Sequence, residues 1–116
     1  NLMKKHLHSI EELSTQELPS YVEYLLRNLL AQGQANIEKV TQCMAMSKRT
    51  LQRRLAESDT SFKEILDHTR QVMAYHYLKD SRLQMTQVAD LLGYTSLSAF
   101  TRAFIRWHGY PPTRRH

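Results

Sequence analysis

The 116-residue sequence is short of the residues that commonly interrupt or cross-link a chain. It contains three Gly, three Pro and a single cysteine, Cys43. A lone cysteine excludes an internal disulfide and favours a reducing compartment, here the cytoplasm. No apolar run approaches the roughly 20 residues that cross a membrane, so no membrane association is expected. Few helix breakers and little strand-like alternation predict an all-α fold.

Groups that carry out catalysis or bind metals are absent as sets. No Ser/His/Asp or Cys/His combination falls together, and Cys43 is predicted to lie on a buried helix face. The six histidines are scattered, and no two of them have the i,i+4 spacing that is typical of a metal site on a helix. We therefore predict that the protein is not an enzyme and uses no metal and no cofactor.

Acidic residues are scarce over most of the chain. Residues 36–116 hold 13 Lys/Arg against 7 Asp/Glu, whereas residues 1–35 hold three Lys/Arg against four Glu. A basic segment of this kind favours polyanions through phosphate neutralisation and counterion release. Basicity alone does not define the partner, because many basic proteins bind no nucleic acid.

Capping residues and apolar periodicity predict about seven helices after a leader or interdomain linker over residues 1–17. Ser20 and Glu23 form a capping box that begins the first helix behind Pro19. Ser47 is predicted to cap a helix over about 48–57, and Ser61 a long helix to about residue 78. The predicted buried stripe of that long helix consists of Phe62, Leu66, Val72, Met73 and Leu78.

Two stretches of the sequence repeat each other. "VTQCMAMSKRTLQRRL" aligns with "VADLLGYTSLSAFTRAF" when Thr95 is treated as an insertion. Each is predicted to form a short helix, a tight turn and a second helix, the pattern whose second helix enters the DNA major groove. The predicted bounds are about 37–57 and about 86–108, with a linker helix at about 61–79. Matched positions include Ser47 with Ser96, Leu51 with Phe100, Arg53 with Arg102 and Leu55 with Phe104.

The second helix of the first unit has a cationic outward face. At 100° per residue, Arg49, Gln52 and Arg53 point away from its two core leucines, and Lys48 and Arg54 flank them. Arg and Gln pair favourably with guanine and adenine, so the first three are candidates for base contacts. The flanking cations are candidates for phosphate contacts. The alternative is a solvated basic face, which the absence of acids before Glu57 disfavours.

The corresponding face of the second unit carries less charge. Ser98, Thr101, Arg102 and Ile105 point outward, with Leu97 at the edge of the face. Of these, Leu97, Ser98, Thr101 and Arg102 are candidates for contacts with bases or phosphates. The alternative is a mainly structural unit that contacts only the DNA backbone. Trp107 is predicted to lie in the core.

The long helix is predicted to hold both units on one side of a monomer. Their DNA targets would then lie one helical turn apart, about 34 Å or 10–10.5 base pairs. Arg70, on this helix, is predicted to anchor the units by hydrogen bonds; a phosphate contact is the alternative.

Residues from about 18 to 112 resemble the AraC/XylS family of bacterial transcription regulators, most specifically in "MSKRTLQRRL", "VADLLGYTSLSAFTRAF" and "GYPP". The resemblance implies two helix-turn-helix subdomains bridged by a long helix, and sequence-specific binding to double-stranded promoter DNA near the nucleoid. It implies the same DNA-facing positions as the helical wheel. It also implies an activator that contacts RNA polymerase, and an N-terminal effector or dimerisation domain outside this chain.

Four positions depart from the family pattern. Pro111 stands where Ser or Thr is usual, Arg115 and His116 stand where an aromatic residue and an arginine are usual, and Thr41 stands where a small Ala is common. A helical protein-interaction module, using its basic face on an acidic partner, is the alternative to sequence-specific DNA binding.

Overall fold

The computed structural model describes residues 13–14 and 16–113, and its regular secondary structure is entirely helical. Six helices follow one another: α1 Glu17–Leu30, α2 Ile37–Met44, α3 Lys48–Glu57, α4 Phe62–Leu78, α5 Met85–Leu91 and α6 Leu97–His108. The all-α prediction is confirmed, with one helix fewer in the described ranges than the seven expected. Predictions about residues 1–12, Arg115 and His116 lie outside the described residues. Among the described residues, no helix is long and apolar enough to cross a membrane.

The first helix begins earlier than its predicted capping box. The Ser14 hydroxyl accepts a hydrogen bond from the Glu17 amide at 3.1 Å, so α1 is capped before Pro19 is reached. Pro19 is tolerated in the first turn because the amides there have no partner within the helix. The prediction that Ser20 opens this helix is therefore wrong.

The two helix-turn-helix units repeat each other in the backbone as well as in the sequence. The turn after α2 has Ala45 at φ 52° and the turn after α5 has Gly93 at φ 82°, both left-handed. Ser47 and Ser96 accept hydrogen bonds from the Thr50 and Ala99 amides, each at 3.1 Å, and so cap α3 and α6. The predicted repeat is confirmed at its turns and caps.

Helix α2 corrects one prediction and accounts for one unusual residue. Its buried face consists of Val40, Thr41 and Met44, and Cys43 is exposed because it lies about 100° from Met44 around the axis. The prediction of a buried Cys43 is therefore wrong. The Thr41 hydroxyl donates to the Glu38 carbonyl at 2.8 Å, so its polar atom is satisfied within the helix.

The apolar core is divided into two clusters, one for each unit. The first includes Leu51 and Leu55 of α3, and the second includes Phe100 and Phe104 of α6. Helix α4 serves both, with Ile65 in the first cluster and with Ala74 and Leu78 in the second. The bridging helix thus joins two separately packed units rather than passing through one continuous core.

The division of the core explains why the predicted stripe of α4 is only partly confirmed: Phe62 and Leu66 pack against the first cluster and Met73 against the second. The buried residues of α4 are Ile65, Thr69, Ala74 and Leu78, and of the five predicted positions only Leu78 is among them. Because each end of the helix faces a different cluster, no single apolar stripe is buried along its whole length. The other four predicted residues are only half-buried.

A junction of five residues connects α1, α4 and the α5–α6 turn. Arg70 of α4 donates from Nε to the Leu92 carbonyl at 2.9 Å, and its guanidinium lies 4.4 Å from the centre of the Tyr94 ring. A Cβ on Gly93 would lie 3.2 Å from Cδ2 of the buried Leu30 and 3.4 Å from Nη2 of Arg70. Glycine is thus required at this turn by both its backbone angle and its neighbours. Arg70 anchors the units, as predicted.

Tyr94 makes the junction sensitive to alkaline pH. Its hydroxyl is buried and has no hydrogen-bond partner among the described residues. Burial raises the pKa of Tyr94 above the usual 10.0. The charges of Arg70 and Arg106 oppose this rise, and the charge of Asp67 adds to it. The unfolded chain therefore releases this proton more readily than the folded chain does.

We expect the free energy of unfolding to fall as the pH rises from about 10 through the higher folded-state pKa of Tyr94. Tyr94→Phe should weaken that fall and, at pH 7, change stability by no more than about 1 kcal/mol, because the lost hydroxyl is unpaired. Urea unfolding between pH 8 and 11 measures both effects, with exposed Tyr24→Phe as the control for loss of a hydroxyl. An unchanged alkaline profile in Tyr94→Phe would contradict the assignment.

Candidate nucleic-acid interface

Helix α3 presents the predicted cationic face to solvent. Leu51 and Leu55 are fully buried, which fixes the rotation of the helix about its axis. Lys48, Arg49, Gln52 and Arg53 are consequently exposed, as the helical wheel predicts. Ser47 caps α3, and Lys48 and Arg49 lie in its first turn. The positive end of the helix dipole lies at the same place.

Two of these cations have acidic neighbours. Nζ of Lys48 lies 3.9 Å from a Glu38 carboxylate oxygen, and Nη1 of Arg53 lies 3.6 Å from one of Glu57. All four side chains are more than half exposed, so each pair is worth about 0–1 kcal/mol and is readily exchanged for a phosphate or a base edge. Within the described part of the chain, Arg49 forms no ion pair.

Arg54 has a different environment from the other candidates on α3. It is half-buried, and its Nη2 donates to the carbonyl of Leu13, 41 residues earlier in the chain. Leu13 itself packs against the first core cluster. One donor of Arg54 therefore links α3 to the segment before α1. The sequence did not indicate this contact.

Helix α6 presents a mixed face of the predicted composition. Leu97, Ser98 and Arg102 are exposed, and Thr101 is half-buried. Ile105, one turn beyond Thr101, is 43% exposed and was not among the candidate site residues. Arg102 forms no ion pair with any described residue, so the one cation of this face is available to a ligand.

The carboxyl end of α6 is attached to α4 through Asp67. One carboxylate oxygen, Oδ1, accepts from Arg106 Nη2 at 2.8 Å and from the Trp107 indole nitrogen at 2.9 Å. Trp107 was predicted to lie in the core. It is half-buried instead, because its ring edge reaches this acceptor. Sequence reasoning missed Asp67, although its position three residues before Arg70 places both on one side of α4.

The described residues contain no group of three His, Cys, Asp or Glu side chains arranged to hold a metal ion. The chemistry that the exposed face can supply is therefore donation of hydrogen bonds and positive charge. Two capped helices, each with an exposed amino-terminal turn in a helix-turn-helix unit, define the class of helix-turn-helix transcription regulators.

Comparison with known proteins identifies the family within that class. A family model described as a helix-turn-helix domain matches residues 40–115. The chain belongs to the AraC/XylS family of transcription regulators, as its sequence motifs indicated.

Several relatives resemble the chain over most of its length. The transcriptional regulator VirS of Mycobacterium tuberculosis is 37% identical over 108 residues, which are 93% of this chain and 32% of VirS. The ornithine utilization regulator of Pseudomonas aeruginosa is 33% identical over 78 residues, 67% of this chain and 23% of that protein. The crystal structure of the regulator CdpR from the same species matches with a TM-score of 0.62 and 41% identity, over 66% of this chain and 24% of CdpR. The chain thus spans about a third or less of each.

Proposed function

We propose that this chain binds double-stranded DNA sequence-specifically, with α3 and α6 entering two major-groove segments one helical turn apart. The observation that carries the proposal is the exposure of the outward faces of α3, with Arg49, and of α6, with Arg102, in two units of the same backbone. Neither arginine has an ionic partner within the described residues. An unpaired guanidinium on a recognition helix is suited to a guanine edge or a phosphate.

The side chains divide by the contact that each could make. Arg49, Gln52 and Arg53 are proposed to read bases from α3, and Lys48 to bind phosphate. On α6, Leu97, Ser98, Thr101 and Arg102 are proposed to contact bases or backbone, with Leu97 against a thymine methyl. Arg54 donates one hydrogen bond to the Leu13 carbonyl. Its remaining donors are proposed to bind phosphate.

The test is selection of bound fragments from random DNA, followed by titration of the enriched duplex between 50 and 200 mM salt. We expect two half-sites about 10–10.5 base pairs apart. Binding should survive excess competitor DNA and weaken steeply with salt, because each neutralised phosphate contributes about −0.9 to the logarithmic slope. Salt-sensitive binding without any enriched sequence would instead favour a module that uses its basic face on acidic proteins.

We also propose that the full protein is an activator that contacts RNA polymerase in the cytoplasm, at the nucleoid. The family resemblance supports this role. The relatives are about three or four times as long as their matched regions, which supports a separate effector or dimerisation domain elsewhere in the full protein. These proposals extend the DNA-binding proposal and do not carry it.

A further inference from the structure

We propose that Asp67 and Arg70 of α4 are positioning residues, which fix the orientation of the second recognition helix relative to the first. This inference rests on the proposed two-segment DNA binding. The new element is the origin of the half-site spacing that the protein accepts. We assign this spacing to two polar side chains that lie outside α3 and α6.

Arg70 fixes the amino-terminal side of the second unit. It donates to the Leu92 carbonyl at the end of α5 and covers the Tyr94 ring just before α6 begins. Its Nη2 also lies close to Gly93, which in turn faces Leu30 of α1. The turn between α5 and α6 is therefore held between the bridging helix and the first helix of the chain.

Asp67 fixes the opposite end of the same recognition helix. A single carboxylate oxygen accepts from Arg106 and Trp107, which occupy the last turn of α6. Asp67 and Arg70 are three residues apart and so lie on one side of α4. One face of α4 thus contacts the turn before α6 through Arg70 and the last turn of α6 through Asp67.

Apolar packing does not replace these contacts along α6. A cavity of about 280 Å³ separates α4 from α6, lined by Val72 and Tyr75 on one side and by Phe104 and His108 on the other. Since side chains leave this space open, the tilt of α6 against α4 is not set by close packing there. The second cluster packs Phe100 and Phe104 of α6 with Ala74 and Leu78 of α4, and the two hydrogen bonds of Asp67 add a direct link at the last turn of α6.

The Asp67–Arg106 pair contributes little to overall stability. The Asp67–Arg106 pair is largely exposed, with the arginine side chain 63% and the aspartate 33% accessible. Removing such a pair is expected to change the angle and freedom of α6 more than it changes the free energy of unfolding. Positioning and stability can therefore be separated by experiment.

The experiment uses duplexes that carry the two selected half-sites at the preferred spacing, with one base pair added or removed between them, and duplexes with a single half-site. One base pair rotates a half-site by about 35° around the DNA axis. We expect the unaltered protein to lose roughly tenfold in affinity on a one-base-pair change, equivalent to about 1.4 kcal/mol. Asp67→Ala and Arg70→Lys should lose about threefold or less, with single half-site affinity within about twofold of the unaltered protein.

The variants are chosen to separate positioning from charge and folding. Asp90→Ala, at an exposed position of α5, makes the same charge change as Asp67→Ala and should keep the original spacing profile. Arg70→Lys conserves charge but loses the fixed guanidinium geometry. Asp67→Asn keeps an oxygen acceptor for the Trp107 indole and should restore part of the preference. Helical circular dichroism and thermal unfolding verify that each variant is folded.

The outcomes distinguish this proposal from the one on which it rests. An unaltered protein with a sharp spacing preference, and Asp67 and Arg70 variants with the same preference, would overturn the positioning role alone. An unaltered protein that binds all spacings equally would overturn both proposals. A variant that loses affinity equally for single and paired half-sites would assign its residue to general stability, against the positioning role.

Discussion

Replacing Arg53 with alanine is expected to lower affinity for the selected DNA site by about ten- to a hundred-fold, since a bidentate base contact is worth about 1–3 kcal/mol. The same change should affect an unrelated sequence far less, so that preference at one base pair is lost. The Arg53–Glu57 pair is exposed, and its removal should change the free energy of unfolding by less than about 1 kcal/mol. Fluorescence anisotropy with duplexes substituted at each base pair measures the effect.

Lys48→Ala is the matched control on the same helix. Lys48 is a candidate for phosphate contact and has a comparable exposed ion pair, with Glu38. Its loss should weaken binding to all sequences alike and reduce the logarithmic salt slope by about one. Equal, sequence-independent losses from both variants would refute the assignment of Arg53 to base reading, and with it the division of the α3 face into base-reading and phosphate-binding side chains.

Phe100→Ala is expected to lower the free energy of unfolding by about 3–5 kcal/mol. Phe100 is fully buried, and its ring lies 5.8 Å from that of Tyr94 and 5.9 Å from that of Phe104. Truncation would leave a cavity at the centre of the second cluster. Because natural domains are stable by only about 5–15 kcal/mol, this loss is a large share of the total. Urea unfolding, followed by Trp107 fluorescence and helical circular dichroism, gives the value.

The comparison for Phe100 is Ile105→Ala on the same helix. Ile105 is apolar but 43% exposed, so its truncation should change stability by no more than about 0.5 kcal/mol. If Phe100→Ala cost about as little as Ile105→Ala, the second unit would not depend on the aromatic cluster described here.

Local features of the fold could be predicted from sequence because their partners are close in the chain. Ser47 and Ser96 cap amides three residues away, and the spacing of Leu51 and Leu55 sets which side chains of α3 face outward. The exposure of the α3 candidates follows directly from that spacing. Their proposed contacts with DNA remain predictions, because exposure alone does not select a partner.

Contacts between distant segments could not be predicted in the same way. Arg54 meets Leu13 across 41 positions, and Asp67 meets Arg106 across 39, so neither pair has a spacing that sequence reasoning can recognise. The buried face of α4 depends on two clusters whose relative placement is a property of the whole fold. The start of α1 was misplaced because the Ser20–Glu23 motif lies inside the helix, which already begins at Glu17, where the amide donates to the Ser14 hydroxyl.

The difference between Ala45 and Gly93 has a consequence for how the two units can vary. Both turns have left-handed backbone, yet the first carries a methyl group and the second has Leu30 and Arg70 where a methyl would extend. The two turns are therefore not interchangeable. The turn of the second unit lies in the junction with α1 and α4, and the turn of the first unit does not. The two copies therefore cannot vary alike: an alanine is accommodated at the first turn, whereas the same change at Gly93 would strain the backbone and displace Leu30 or Arg70.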